Sequence, residues 1–342
     1  MTTKEKVFNL LTQSKKQVIS GEKLAVECNV SRAAIWKAVK SLRNEGFLIE
    51  GSTNGGYIFC GEMDVLNETT VKKFLISEYP KLKTSSVECF QTIDSTNTYA
   101  KKLLAENIAS TLNKKIIVAE SQTKGRGRLG RFFCSPEKTG IYLSIIYVPE
   151  YAMEGKNIDP AKITAFSAVA ACRVIKKLYN VEPKIKWIND IYLNQKKIAG
   201  ILTEGITNFE TGCIEACVIG IGINIQHNEK SFPEDVAKIA GSIIGKENNS
   251  EQKKVSRAKF AAEIAGEILS IFDEKKENIM KEYKAASFLI GSIVNVYSLI
   301  GDDTSVYKAK VLEIDDNAGL VVELSNGTKK TLNSGEVTLH SN

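Results

Sequence analysis

Nowhere in the 342 residues does an apolar run approach the roughly 18 that a membrane-spanning helix needs. The opening MTTKEKVFNLL has neither the apolar centre nor the small-residue cleavage site of a secretory signal. A membrane role is not expected, and a cytoplasmic location is. Histidine is almost missing, with only His227 and His340. The seven cysteines, at 28, 60, 89, 134, 172, 213 and 217, are odd in number and contain no Cys-x-x-Cys pair. That pattern suits neither a structural zinc site nor a disulfide framework, so the thiols are expected reduced, in or near a core. Also lacking are a phosphate-cradling G-x-x-x-x-G-K-[ST] loop, an internal repeat and any low-complexity tract.

What is there is a globular composition, 43% hydrophobic and 25% charged, with apolar material for two or three cores. The formal net charge of +6 is mild, so the location of the charges matters more than their sum. Residues 3–14 carry Val7, Phe8, Leu10 and Leu11 at near-helical spacing, and a second short helix over 21–28, with Leu24 and Val26, follows the cap Ser20. Only Asn29 and Val30 separate it from a third helix, capped by Ser31 and striped with Ala34, Ile35, Ala38, Val39 and Leu42. Two β-type runs, 47–50 and 57–59, flank a turn at Asn54-Gly55. Three helices and a hairpin make a winged helix-turn-helix, assigned to 1–65.

A linking helix is expected within 66–83. Strands at 87–93, 116–121, 140–148, 183–188 and 213–225, with helices at 94–106, 160–179 and 256–284, then fill a large domain over 84–285. Strands outnumber helices and several neighbours are joined by short turns, which argues for a mixed or antiparallel sheet. Residues 245–254 have no apolar pattern and read as a mobile loop. From 286 to 342, four short strands separated by turn pairs predict a small β-barrel. The fold class is α/β (α+β).

The third helix holds Arg32, Lys37, Lys40 and Arg43 and no acid, an electrostatic footprint suited to a major groove; a protein-binding winged helix is the alternative. Trp36, on the same helix, is expected to pack against the first helix. From Glu50 to Glu62 the wing has no Lys or Arg, so it is expected to contribute little to phosphate binding.

The most distinctive stretch is QTKGRGRLGRFFCSP, 122–136, where Lys124, Arg126, Arg128 and Arg131 are interleaved with glycines and no acid lies between Glu120 and Glu137. Guanidiniums pair with phosphate or carboxylate, and glycines let the backbone approach, so this is a loop built to close on a polyanion. Gly125, Gly127 and Gly130 match G-x-G-x-x-G only literally, because Pro136 and a strand follow where a dinucleotide site needs a helix. Ser95, Thr96 and Asn97 open a helix after a strand and suit a polar ligand, or plain capping. Lys186, Asn189 and Asp190 sit at a strand end. Lys197 precedes an apolar strand with Gly200, and Gly220 and Gly222 in a later strand would let a flat apolar ligand lie on the backbone.

STN at 95–97, GRGRLGR at 125–131, KWIND at 186–190, KIAGIL at 197–202 and GIGIN at 220–224 follow the order and approximate spacing of the biotin–protein ligases. With its helix-turn-helix the chain resembles, over essentially its whole length to GEVTL at 335–339, the bifunctional form that also represses biotin genes. Phe133 stands where tryptophan is frequent, Ile188 where proline is usual and Leu129 where arginine is common in the well-known repressor.

The resemblance implies a central domain like that of class II aminoacyl-tRNA synthetases and an SH3-like C-terminal barrel. It implies adenylation of biotin by ATP to biotinyl-5′-AMP, with Mg²⁺ accompanying the triphosphate, and transfer to a lysine of a biotin carboxyl carrier domain, as in acetyl-CoA carboxylase or other biotin-dependent carboxylases. Arg126 and Lys197 are then the catalytic candidates. Ser95, Thr96, Asn97, Gln122, Gly125, Arg126, Gly127, Arg128, Lys197, Gly200, Gly220 and Gly222 would line the biotin site. Arg128, Arg131, Phe133, Lys186, Asn189, Asp190 and Asn224 would address the adenylate, and Ser31, Arg32, Lys37, Lys40 and Arg43 would meet operator DNA as part of a homodimer formed when the adenylate is bound. A lipoate–protein ligase shares the architecture but gives no reason for a winged helix. A ligand-sensing transcription factor without ligase activity gives no reason for the cationic loop.

Overall fold

The N-terminal helices assemble around one apolar cluster in which Val7, Phe8, Leu11, Leu24, Ile35, Val39 and Leu42 are almost fully covered. In this computed structural model, residues 1–14, 17–44, 47–52, 55–62, 64, 66–149, 158–208, 210–226, 232–245, 255–297 and 306–339 are described. Helix α1 is Thr3–Gln13, closed at its start by a reciprocal Thr2–Glu5 capping box. Helix α2, Gly21–Cys28, ends at Asn29 in the left-handed conformation (φ 54°), and α3, Arg32–Asn44, follows. Ser31 accepts from Ala34 N at 3.2 Å, so its hydroxyl caps α3. Strands β1, Phe47–Ser52, and β2, Gly56–Glu62, pair antiparallel as the wing; residues 53 and 54 of its turn lie outside the described residues.

Two expectations for this unit are corrected. Val26 is 76% exposed, and Ala25 and Cys28 supply the buried side of α2 with Leu24. Trp36 is 53% exposed rather than packed on α1, because Ile35, Ala38, Val39 and Leu42 already fill the inward stripe of α3.

Helix α4, Glu68–Glu78, leads to a seven-stranded sheet of order β3-β4-β5-β9-β8-β7-β6. Its strands are β3 Val87–Ile93, β4 Ile116–Gln122, β5 Gly140–Tyr147, β6 Lys184–Lys186, β7 Asp190–Leu193, β8 Lys196–Thr207 and β9 Ile214–Asn224. Only β3 and β4 run parallel; every other neighbouring pair is antiparallel, so the sheet is mixed. Alternate residues face opposite layers. Ile117, Ile146 and Val218 meet α5, Thr96–Glu106, whereas Ile116, Ile145 and Ile219 join the larger core with α6, Pro160–Tyr179.

Residues 256–284, read as one helix, are two: Arg257–Ile271 and Lys276–Ala286. The ring of Phe272 stacks on Tyr147 at 4.3 Å, and Arg173 of α6 bonds Glu267, Glu274 and Glu282 across the bend, at 3.1, 2.7 and 2.6 Å. Those contacts reward a break that the local pattern does not require. Of the loop read over 245–254, only Gly245 lies within the described residues. The C-terminal strands form a five-stranded antiparallel sheet in the order β13-β12-β11-β10-β14, and among the described residues no ladder joins β13 to β14 to close a barrel. Their ranges are β10 Ile293–Tyr297, β11 Val306–Ile314, β12 Leu320–Leu324, β13 Lys329–Leu332 and β14 Glu336–Leu339. Val294, Val311, Leu320 and Val337 continue the central core, and Trp187 Nε1 donates to Ala318 O at 2.7 Å. No helix among the described residues is long and apolar enough to cross a membrane, and all seven cysteines are free thiols, two buried and five half-buried.

Candidate functional site

The sheet face at the central strands β8 and β9, the start of α5 and the 122–135 segment enclose a cavity of about 210 Å³. Alternation along β8 decides which lysine enters it. Lys197 lines the cavity with Nζ 2.7 Å from Asp190 Oδ1, whereas Lys196 turns away and donates to Lys238 O.

Ser95, Thr96 and Asn97 are all buried at the start of α5, with Ser95 as its cap. The polar groups there are bonded to one another. Thr96 N and Oγ1 donate to Gln122 Oε1 at 2.9 and 3.2 Å, and Gln122 Nε2 donates to Ser135 Oγ at 2.9 Å. Ser144 Oγ lies 2.7 Å from Thr96 Oγ1 and 2.6 Å from Asn97 Oδ1. Asn97 Nδ2 donates to Glu204 Oε2 at 2.8 Å.

The cationic segment is a folded turn. Gln122 pairs with Ser135 and Arg126 with Phe132, and Leu129 takes a left-handed conformation (φ 58°) at its tip. Acids remote in sequence meet its cations. Arg126 lies 3.5 Å from Glu204, and Arg131 bonds both oxygens of Glu336. Arg128 donates to Asn189 Oδ1 at 3.1 Å and to Gly335 O at 3.2 Å. Burial holds the Arg128 and Lys186 side chains below their usual pKa values, against the opposing charge of Asp190. For Glu204 burial pushes upward, but hydrogen bonds from Lys101 and Asn97 and the charges of Lys101 and Arg126 outweigh it and hold the carboxyl below its ordinary value.

Gly200 and Gly222 are directly paired across β8 and β9, and the Phe133 ring lies over them. A Cβ on Gly222 would come within 2.3 Å of that ring, and one on Gly220 within 2.1 Å of Asn97 Oδ1. These glycines therefore accommodate side chains of the chain itself, where the sequence suggested only room for a flat ligand.

Ser95, Thr96, Asn97, Gln122, Arg126, Gly127, Arg128, Arg131, Phe133, Lys186, Asn189, Asp190, Lys197, Gly200, Gly220 and Gly222 all line this cavity. Two expected members do not. Gly125 lies behind Phe133, where a Cβ would meet the Phe133 carbonyl at 2.2 Å. Asn224 is buried outside the lining, with Nδ2 donating to Gly241 O at 3.0 Å. Sequence reasoning missed Glu204, which partners two cavity residues, and Gly335, Glu336 and Val337, which line the wall. Its one available signal was a lone acid at the end of the apolar run KIAGILT and another in the last strand.

On α3, Arg32, Lys37 and Lys40 are exposed, but Arg43 Nε donates to Ile49 O at 2.7 Å and so ties the helix to the wing. That bond commits part of the Arg43 guanidinium to the fold.

Two family models match the chain, the Biotin/lipoate A/B protein ligase family over residues 89–224 and a helix-turn-helix domain over 3–58. The chain is 31% identical over 242 residues to the bifunctional ligase/repressor BirA of Bacillus subtilis, covering 71% of each. It is 34% identical over 206 residues to that of Escherichia coli, covering 60% of this chain and 59% of that one. A solved biotin protein ligase from Aquifex aeolicus, in complex with biotin and ATP, shares the fold with a TM-score of 0.57 at 22% identity, over 75% of this chain and 99% of that one. The chain belongs to the BirA family of bifunctional ligase/repressors, a biotin protein ligase carrying a helix-turn-helix repressor domain.

Proposed function

We propose that this cavity joins biotin to ATP and then delivers the biotinyl group to a carrier lysine. The observation that carries the reading is the convergence of Arg126, Arg128, Arg131, Lys186 and Lys197 on one cavity, which Phe133 and the paired Gly200 and Gly222 also line. In the first step a carboxylate oxygen of biotin attacks the α-phosphorus of ATP, a P–O bond forms, and the bond to the departing pyrophosphate breaks. Two anions must meet, so positive charge placed beforehand lowers the barrier, and no strong base is required. Lys197, already facing the Asp190 carboxylate, is placed to take the substrate carboxylate, with Arg126 screening charge beside it. Arg128, Arg131 and Lys186 then hold phosphate oxygens, and the Ser95–Thr96–Asn97 turn with Gln122 meets the polar ring of biotin. In the second step the neutral lysine amine of a biotin carboxyl carrier domain attacks the acyl carbon, a C–N bond forms, AMP leaves and the amine gives up a proton.

Mg²⁺ belongs with the triphosphate in this reading. Among the described residues no three His, Cys, Asp or Glu side chains converge, and the cavity's Asp190 and Glu336 each face a cation of the chain. The functional division runs as 1–65 for DNA, 66–83 as linker, 84–285 for catalysis and 286–342 as the C-terminal unit.

Repression follows from α3 meeting operator DNA of biotin genes as a homodimer favoured by the bound adenylate. For that linkage the adenylate must bind the dimer more tightly than the monomer. Incubation with biotin and ATP, with pyrophosphate release measured and the retained product identified by mass, tests the ligase reading; release without a retained biotinyl-AMP overturns it. Sedimentation with and without an adenylate analogue tests the dimer. A chain beginning at residue 63 keeps the Asp64–Arg257 contact. It is expected to retain ligation and lose operator binding, and specific binding by this truncation overturns the placement of the DNA site.

A further inference from the structure

The recognition helix presents an aromatic ring that its core does not use. Trp36 is 53% exposed, while Ile35, Ala38, Val39 and Leu42 on the opposite side of α3 are buried. At 3.6 residues per turn, Arg32, Ala33, Trp36, Lys37 and Lys40 fall on one face, and all five are exposed. No acid occurs in the chain between Glu27 and Glu45. Lys40 Nζ stands 5.0 Å from the centre of the Trp36 ring. The indole is thus left uncovered by its own domain and stands among cations that attract an anionic partner.

We propose that Trp36 reads the operator directly, by packing its indole against the C5-methyl of a thymine in the major groove. The inference rests on the DNA reading of α3 and adds to it the residue that discriminates bases. Charge complementarity selects the occupant, because Arg32, Lys37 and Lys40 surround the ring with positive charge and a duplex offers phosphates on both sides of a groove wide enough for a helix. Phosphate contacts position a helix but carry no sequence information directly. Of the groups on base edges in that groove, the thymine methyl is the apolar one, and the large apolar surface of α3's exposed face is the indole.

The test uses the full chain with biotin and ATP, and a duplex that it selects from a random-sequence pool. Thymines are replaced one at a time by deoxyuridine, which removes only the methyl and keeps the base pair. At one position in each half-site the wild-type chain should bind roughly fourfold more weakly, the loss expected for one methyl-sized group no longer buried. Trp36→Ala should bind the unmodified duplex more weakly than wild type and show no further loss at that position. Equal affinity of Trp36→Ala and wild type, or an undiminished deoxyuridine penalty in Trp36→Ala, overturns the proposal. Unchanged melting and biotin adenylation in the variant show that the fold is intact. Failure of the wild-type chain to select any duplex is a different result, which overturns the DNA reading itself.

Discussion

Arg131 and Glu336, 205 residues apart in the chain, are joined by two parallel hydrogen bonds of 2.8 and 2.5 Å, so the last strand helps to fix the cationic segment at the mouth of the cavity. The Arg131 side chain is 65% exposed, so the pair is expected to contribute at most about 1 kcal/mol to stability. Glu336→Gln should therefore melt within about 3 °C of the parent. It should nevertheless raise the KM for ATP severalfold, because Arg131 loses its rest position. Calorimetry and initial rates check the two halves, and an unchanged KM would separate this contact from nucleotide binding.

Arg126 is exposed and held only loosely at 3.5 Å from Glu204, which leaves its guanidinium ready for an incoming anion. Arg126→Ala should fold normally, form biotinyl-AMP more slowly and release it into solution. Free adenylate, separated by filtration and quantified, is the measure; full retention would remove Arg126 from the reaction.

Lys197→Ala should cost far more activity than Lys196→Ala, at least about tenfold more in kcat/KM, since only Lys197 lines the cavity. Equal losses would mean that the facing of β8 has no bearing on the reaction.

Gly222→Ala and Gly220→Ala should both impair biotin binding, by different routes. The first displaces the Phe133 ring, so Phe133→Ala should restore part of the affinity. The second meets the Asn97 amide, held by Ser144 and Glu204, and should cost roughly 1–3 kcal/mol that Phe133→Ala does not restore. Biotin titration of the four variants decides the matter.

Glu204 has its folded-state pKa lowered, so its contribution to stability is present above the ordinary carboxylate range and fades as pH falls through the folded value. Glu204→Gln should accordingly reduce the melting temperature near neutrality and flatten its decline toward acid. Parallel melting curves for the two proteins across that range would show that the network of Lys101, Asn97 and Arg126 adds no linked stability.

The local patterns were readable because each rests on neighbours in sequence. Ser20 and Ser31 cap helices, the stripe of α3 repeats at helical period, and α6 spans the 160–179 run. The bend after Ile271 was not readable, since it depends on Arg173 reaching three glutamates from another helix. The exposure of Trp36 has a related cause. Whether an aromatic on an amphipathic helix is buried depends on what fills the core opposite it, and four aliphatic residues of α3 had already done so.

The same division holds at the site. By itself the sequence determined the family motifs, the cationic segment, the apolar strand that follows Lys197 and the strand that bears Gly220 and Gly222, because residue type and short-range periodicity encode them. Only the tertiary structure decided that Glu204 and Glu336 face those cations, that Phe133 lies over the paired glycines and that Asn224 turns away to Gly241. These are relations between strands and loops far apart in the chain, settled by sheet order and register, and a side chain's local sequence carries no record of which remote group will stand opposite it.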